Sequence, residues 1–242
     1  NIEGNKMSND TDSIFLEALL LLITGDKDIL EIVLLSLYVT LSAVILSCLF
    51  SIPLSAILTI KNFFGKTAII IISNSLMALP PVVVGLGLYL LISANGILAA
   101  YELLYTPSAM IIAQFIILTP IIVALSRQNI QESYAKYDEY FRSLGTSTFQ
   151  KIKTLIWETR FSLITNALAA LGRGLSEVGA VIIVGGNIAH QTRMMTTTIA
   201  METSRGDLKL ALAVGIILIF ISITINIILY ALKSNLEVND GK

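Results

Sequence analysis

The lengths of the uninterrupted apolar runs constrain this chain more than any other feature of its sequence. A helix that crosses about 30 Å of bilayer hydrocarbon needs about 20 apolar residues. Four runs without charge have that length and cover residues 32–60, 67–101, 103–126 and 210–232. A fifth run, over residues 161–188, is also long enough but contains Arg173 and Glu177. We therefore expect an all-α polytopic membrane protein with about five transmembrane helices.

Composition agrees with a membrane class and excludes several others. Charged residues make up 14% of the chain, against about 25% in average soluble domains. A net charge of -1 and the lack of a basic stripe argue against a nucleic-acid partner. Cys48 is the only cysteine and His190 the only histidine. Since metal sites and nucleophile-base pairs draw on several such groups, we predict no metal site, no catalytic residue and no enzymatic activity.

The ends of the chain differ from its apolar middle. Residues 1–12 are polar and expected to be disordered, and residues 1–6 are either natural sequence or a vector remnant before a start at Met7. Residues 13–24 are too short to span, so we expect a short helix that either lies in the membrane interface or packs on the bundle. Residues 13–234 are expected to form one membrane domain, followed by a C-terminal tail over residues 235–242.

Pro80 and Pro81 interrupt the second apolar run. Each proline removes a backbone donor, so the pair should kink or unwind the helix. Two interpretations stay open: a bend that packing requires, or a flexible wall along a permeation path. Pro120 predicts a milder bend in the third run.

The distribution of Lys and Arg predicts the orientation, because cytoplasmic loops are enriched in these residues. With five spans and the N-terminus outside, the cytoplasmic segments 61–66, 127–160 and 233–242 hold two, six and two basic residues. The opposite segments, 1–31, the turn near Asn95 and 185–209, hold two, none and three. We therefore expect the N-terminus outside and the C-terminus in the cytoplasm.

The loop over residues 127–160 is the most informative segment between the spans. It has helical spacing and mixed charge, and Gly145 is placed to end its first helix. Thr146 or Ser147 can cap a second helix that begins near Phe149. A helix, glycine turn and helix at the membrane face make a lever whose exposed side could dock in a groove on a soluble partner.

The stretch from Glu139 to Gly145, EYFRSLG, resembles the EAA loop of ABC importer permeases. Tyr140 and Phe141 stand where that family has two alanines, and Glu158 stands where it often has proline. Residues 78–92, ALPPVVVGLGLYLLI, and the segments LGRGLSEVGAVIIVGGNI and TTTIAMETSRGD within residues 171–207 are similar to permeases of the molybdate, tungstate and sulfate group. The likeness runs from about residue 15 to residue 232 and is strongest to the tungstate type.

This resemblance implies a type I ABC importer permease fold, also called MetI-like, in a bacterial or archaeal cytoplasmic membrane. It implies a homodimer in lipid, two copies of a cytoplasmic ATPase subunit that hold ATP and Mg²⁺, and an extracytoplasmic oxyanion-binding protein. The chain itself needs no cofactor, since the sequence Gly65-Lys66-Thr67 lacks the leading glycine of a phosphate-binding loop. The implied ATPase-coupling residues are Glu139, Tyr140, Phe141, Arg142, Gly145, Thr146 and Ser147.

Arg173 and Glu177 lie four residues apart and could pair on one helix face. Because a lone charge costs about 3 kcal/mol near the bilayer centre, the pair either faces a wet cavity or dimer seam, or is a structural ion pair near the interface. Small residues between positions 167 and 180 favour close packing, in the bundle or in a dimer.

A doubly charged oxyanion needs hydrogen-bond donors and little fixed positive charge along its path. The segment after the fourth apolar run offers such donors in Asn187, Thr192, Arg193, Thr196, Thr197 and Thr198. We assign these residues, with Pro80, Pro81, Arg173 and Glu177, to the translocation path or gate. The alternatives are an ordinary capped loop and a docking surface for the binding protein.

From the resemblance we expect tungstate as the most favoured substrate, molybdate as the second and sulfate as the third. The main alternative is an ion-coupled secondary carrier of small anions. Such carriers usually show internal repeats and several membrane carboxylates, whereas this sequence has one intramembrane Glu and no repeat that we detect. A membrane enzyme, or an anchor for one, is a third class that the single His and single Cys disfavour.

Overall fold

The computed structural model describes residues 26–240, with the backbone alone at residue 229 and over residues 232–240. Every regular element in that range is a helix, which confirms the predicted all-α class. The expectations for residues 1–12 and for the interfacial helix over residues 13–24 fall outside the described residues.

Nine α-helices and one short 3-10 turn form the described chain. Their bounds are α1 Lys27–Ile60, α2 Lys66–Met77, α3 Pro81–Ile92, the 3-10 turn Ala99–Tyr101, α4 Pro107–Ser143, α5 Thr148–Glu158, α6 Arg160–Leu175, α7 Gly179–Gly185, α8 Met195–Arg205 and α9 Leu208–Asp240. Proline begins α3 and α4, where its missing N–H would have no helical partner in any case. Pro120 lies inside α4 without ending it.

Helices α1, α4 and α9 are each long and apolar enough to cross a membrane. The pairs α2 with α3 and α6 with α7 pass the same test only when taken together, and they bend by 107° and 60° at their breaks. The number of crossings is therefore three to five by length and composition, and the direction of the helices decides between these values.

Helices α1 and α4 run parallel to each other. The hydroxyls of Ser47, Ser51 and Ser55 donate to the carbonyl oxygens of residues 115, 119 and 123, at 3.5, 3.2 and 3.1 Å. Each bond joins residues 68 apart, so the two helices advance in the same direction. The chain between them must return across the bundle, and the bent pair α2 and α3 makes that return.

The second bent pair runs antiparallel to α4. Tyr105 N–H, just before α4, donates to Val184 O in α7 at 2.9 Å, and Gln114 Nε2 donates to Gly174 O in α6 at 3.2 Å. Helix α9 begins where Ile29 of α1 packs against Ala213. Five crossings thus connect residue 26 to residue 240. We call the end with the starts of α1, α4 and α9 the top of the bundle, and the end with α5 its base.

Several small residues allow the helices to approach closely inside the bundle. A Cβ added to Gly174 would lie 2.7 Å from Thr40 Cγ2, and one added to Gly85 would lie 2.7 Å from Ala180 Cα. Both distances are too short for real side chains, so these contacts require glycine. Gly172 differs, because an added Cβ would meet nothing within 4 Å. Bundle packing therefore accounts for part of the small-residue segment and leaves Gly172 on the surface.

Candidate functional site

Helix α4 extends far beyond the membrane at the base. Its 37 residues correspond to about 55 Å of helix, while the hydrocarbon core takes about 30 Å. The last part of α4 therefore projects from the base as part of the loop over residues 127–160. The third apolar run thus continues as one helix into that loop.

The turn between α4 and α5 has the predicted helix, glycine turn and helix arrangement. Gly145 has a φ of +60°, a conformation that suits glycine at the end of a helix. Ser147 is the N-cap of α5: its hydroxyl accepts from Gln150 N at 3.3 Å, and its N–H donates to Gln150 Oε1 at 2.8 Å. Thr146 instead donates its hydroxyl to Phe141 O at 3.0 Å. The turn is thus fixed by local hydrogen bonds.

The aromatic side chains of this loop divide into an inner and an outer group. Phe141 is 7% exposed and packs in one cluster with Ile130 and Leu155, so it helps to hold α5 against α4. Tyr140, Leu144 and Phe149 are 66, 74 and 75% exposed. We call these three residues the docking face. Of the other predicted coupling residues, Glu139 is exposed and Arg142 pairs with Asp138 at 2.7 Å.

The two helix breaks lie close together, about halfway through the bundle. Leu79 at the first break and Arg173 beside the second line one cleft with Ile116 of α4, and Ile116 lies near the middle of the charge-free run 103–126. A Cβ added to Gly179 would lie 2.5 Å from Val82 Cγ2, so α3 packs directly against α7. Broken helices at this depth are typical of substrate sites in transporters.

The predicted ion pair is present at the second break. Arg173 Nη1 lies 2.8 Å from Glu177 Oε2. Glu177 is buried, and its other oxygen accepts from Ala180 N at 3.1 Å, so it also caps α7. Because α6 ends at Leu175, the pair connects α6 to the break instead of joining two turns of one helix. Its role in gating stays a prediction, as does that of exposed Pro80 and half-buried Pro81.

The threonines between α7 and the first turn of α8 are buried and use their hydroxyls inside the protein. Their hydroxyls donate as follows: Thr192 to Gly185 O, Thr196 to Glu177 O, Thr197 to Asn187 Oδ1 and Met194 O, and Thr198 to Met194 O. These bonds tie the segment after α7 to the start of α8. They match the capped-loop alternative, and the assignment of these residues to a path stays a prediction.

Arg193 lies beside a group of charged residues at the top, together with Asp28, Glu31 and His190. His190 Nδ1 lies 2.9 Å from Glu31 Oε2, and this hydrogen bond, reinforced by the carboxylate charge, raises the pKa of His190 above its ordinary value. Sequence reasoning missed the contact because it joins residues 159 apart. Ligand atoms of Asp28, Glu31 and His190 lie within 4.8 Å of one another. The expectation of no metal site stays a prediction.

Comparison with known proteins decides the family. The family model described as the inner membrane component of binding-protein-dependent transport systems matches residues 51–238. The chain belongs to this family. It is similar to the tungstate uptake system permease protein TupB of Peptoclostridium acidaminophilum, at 38% identity over 90% of this chain and 96% of the relative. It is also similar to TupB of Campylobacter jejuni, at 36% over 90 and 92%, and to the sulfate transport system permease protein CysT of Escherichia coli, at 28% over 84 and 75%.

Family membership and the helical architecture together confirm the MetI-like permease fold and the resemblance to ABC importer permeases. The chain is a multi-pass membrane permease subunit and is not itself an enzyme. The docking face lies within the matched residues. This family assignment excludes the two alternative classes, a secondary carrier and a membrane enzyme.

Proposed function

We propose that this chain is the permease subunit of an ABC importer that carries tungstate across the cytoplasmic membrane of a bacterium or archaeon by alternating access. The observation that carries the substrate is the gradient of similarity. Two tungstate permeases share 36 and 38% identity over nine-tenths of the chain, whereas the sulfate permease shares 28% over 84%. Molybdate and sulfate are the second and third candidates.

The base of the bundle is the cytoplasmic side in this proposal. Six basic residues fall in the loop over residues 127–160 at the base, and positive charge collects on the cytoplasmic side of membrane proteins. The N-terminus then lies outside and the C-terminus inside. The external oxyanion-binding protein would deliver its cargo to the top.

Two ATPase subunits, which hold ATP and Mg²⁺, would bind the base through the docking face of each permease. Tyr140, Leu144 and Phe149 expose large apolar area around one turn, and such exposure on a loop outside the membrane marks a partner surface. Thr159 alone separates α5 from α6, and its hydroxyl and N–H both bond to Leu155 O. A push on α5 is therefore transmitted to α6, whose far end carries the Arg173 ion pair at the mid-depth break.

A second copy of this chain completes the permease in our proposal. The surface of α6 and its C-cap carries an exposed row of small residues at helical spacing: Ser162, Thr165, Ala169, Gly172 and Ser176. In a bilayer, small residues let two helices approach closely and gain packing. This row supports a homodimer in which the two copies of α6 face each other, with lipid around the remaining surface.

Reconstitution into liposomes tests the proposed function. The permease is combined with its ATPase and binding protein, and uptake of tungstate is measured with ATP on the base side and with molybdate or sulfate as competitors. We expect ATP-dependent uptake in which molybdate competes better than sulfate. Uptake that follows an ion gradient and ignores ATP, or that sulfate blocks most strongly, would contradict the proposal.

A further inference from the structure

We infer that the cytoplasmic half of the oxyanion route runs through a cleft between α2 and α4, which we call the basal cleft. Its lining includes Asn74, Met77, Arg127, Gln128, Gln131 and Glu132. The inference rests on the proposed function, because it names residues that the transported anion would pass.

Helix α2 carries polar residues where a lipid-facing helix would be apolar. Ser73, Asn74 and Ser75 follow four consecutive isoleucines, about two to three turns, or roughly 12 Å, from the base end of the helix. No residue of α2 is buried within the described part of the chain. Polar side chains at membrane depth almost always face protein or a water-filled cavity. Since Asn74 lines the basal cleft, the side of α2 that bears it faces this cleft and not lipid.

The opposite wall is one stripe of α4 whose chemistry changes toward the base. Ile117, Ile121, Ala124, Gln128 and Gln131 follow each other at spacings of four and three residues, so they share one face of the helix. The stripe is apolar at mid-depth and carries amides at the base. Such a change is expected of a surface that meets water at one end only.

The basal cleft continues upward to the helix breaks. Met77 lines both the basal cleft and the narrower cleft that contains Leu79, Ile121 and Arg173. The volume of the basal cleft is about 630 Å³, and that of the narrower cleft is about 20 Å³. A wide opening at the base thus narrows toward Arg173 at mid-depth, as the cytoplasmic half of an alternating-access path should.

Positive and negative charges along this route are paired, so an anion would bind weakly and could be released. Arg173 is neutralised by Glu177 at 2.8 Å, and Arg127 shares the basal cleft with Glu132. Arg127 Nη1 donates to Gln131 Oε1 at 2.7 Å, which leaves the Gln131 amide N–H groups as donors. A tetrahedral oxyanion would meet N–H donors without a deep electrostatic well, so it can leave again.

Cysteine accessibility in the reconstituted complex tests the basal cleft. In a Cys48→Ser background, Asn74→Cys and Gln128→Cys are treated from the base side with a charged, membrane-impermeant thiol reagent, with and without tungstate during ATP turnover. We expect both cysteines to react and tungstate to slow the reaction. Ile72→Cys is the matched control, because Ile72 is exposed on the same helix but does not line the cleft. It should not react.

The outcomes separate this inference from the proposed function. Unreactive cysteines at 74 and 128 in a complex that still takes up tungstate would show that lipid or a second copy fills the cleft, and would overturn the inference alone. Reactive cysteines that tungstate does not protect would also overturn the inference, because they would show that the cleft contains water but does not lie on the route of the anion. As a second readout, Asn74→Asp should lower tungstate uptake by electrostatic repulsion while complex assembly and ATP hydrolysis persist; unchanged uptake would contradict the assignment.

Discussion

The loop at the base and the threonines at the start of α8 use their side chains in opposite ways. At the base, Tyr140, Leu144 and Phe149 project from a turn that local hydrogen bonds hold in place. At the start of α8, Thr196 and Thr197 are buried and their hydroxyls donate to internal acceptors. Residue type alone would assign contact with a ligand to the threonines. The hydrogen bonds instead place free surface at the base and structural bonding at the start of α8.

The largest effect should follow from Gly145→Pro at the base. Proline fixes φ near -65°, whereas Gly145 has a φ of +60°, and the change removes the N–H that donates to Arg142 O at 3.3 Å. We expect tungstate uptake to be lost while the complex still hydrolyses ATP and the bundle stays folded. The measurement is the ratio of uptake to ATP hydrolysis in liposomes. Gly145→Ala, which is also strained at this φ but keeps the N–H, should show an intermediate ratio, and normal uptake by the proline variant would exclude the lever.

A smaller effect on stability should follow from Thr197→Val at the start of α8. The change keeps the shape of the side chain but leaves Asn187 Oδ1 and Met194 N–H without their bonds of 2.8 and 3.0 Å. Loss of buried hydrogen-bond partners costs about 1–3 kcal/mol. Thermal unfolding of the purified protein should show a lower Tm. Thr203→Val, at an exposed position of the same helix, is the control; equal Tm values for both variants would remove the distinction between the two regions.

Phe149→Ala should weaken binding of the ATPase and leave stability unchanged. An exposed aromatic residue that becomes buried in an interface typically contributes about 1–2 kcal/mol or more, equivalent to a loss of about tenfold or more in affinity. Surface changes usually alter the free energy of unfolding by less than about 0.5 kcal/mol. Titration of the purified permease with its ATPase gives the Kd. Lys153→Ala, exposed on the same helix, should bind normally, and an unchanged Kd for Phe149→Ala would remove this residue from the docking face.

The smallest effect concerns the ion pair at the top. The hydrogen bond to Glu31 raises the pKa of His190 above its ordinary value, so Glu31→Gln should lower it. Because the folded-state pKa is the raised one, the pair stabilises the fold at acid pH and loses this contribution as pH rises through the pKa of His190. His190 is the only histidine, so an NMR titration follows it directly. Glu102→Gln is the control, and an identical titration in Glu31→Gln would show that the pair does not form.

Local chemistry made three features of the fold predictable from sequence. The apolar runs predicted the crossings, Pro80 and Pro81 predicted the first break, and Gly145 with Ser147 predicted the turn at the base. The second break could not be predicted in this way, because no proline marks residues 176–178. It depends on Glu177, whose side chain caps α7 and whose backbone carbonyl accepts a hydrogen bond from the hydroxyl of Thr196 in the next helix. The same holds for the parallel contact of α1 with α4, which joins residues 68 apart.

The most direct measurement of the central claim places a cysteine at position 149 in a Cys48→Ser background and asks which side of the membrane it faces and what it touches. We expect an impermeant thiol reagent to label Phe149→Cys only after cells are permeabilised, and a short thiol crosslinker to join it to the ATPase subunit. Labelling in intact cells, or purified complexes that never contain an ATPase joined at this position, would contradict a cytoplasmic docking face.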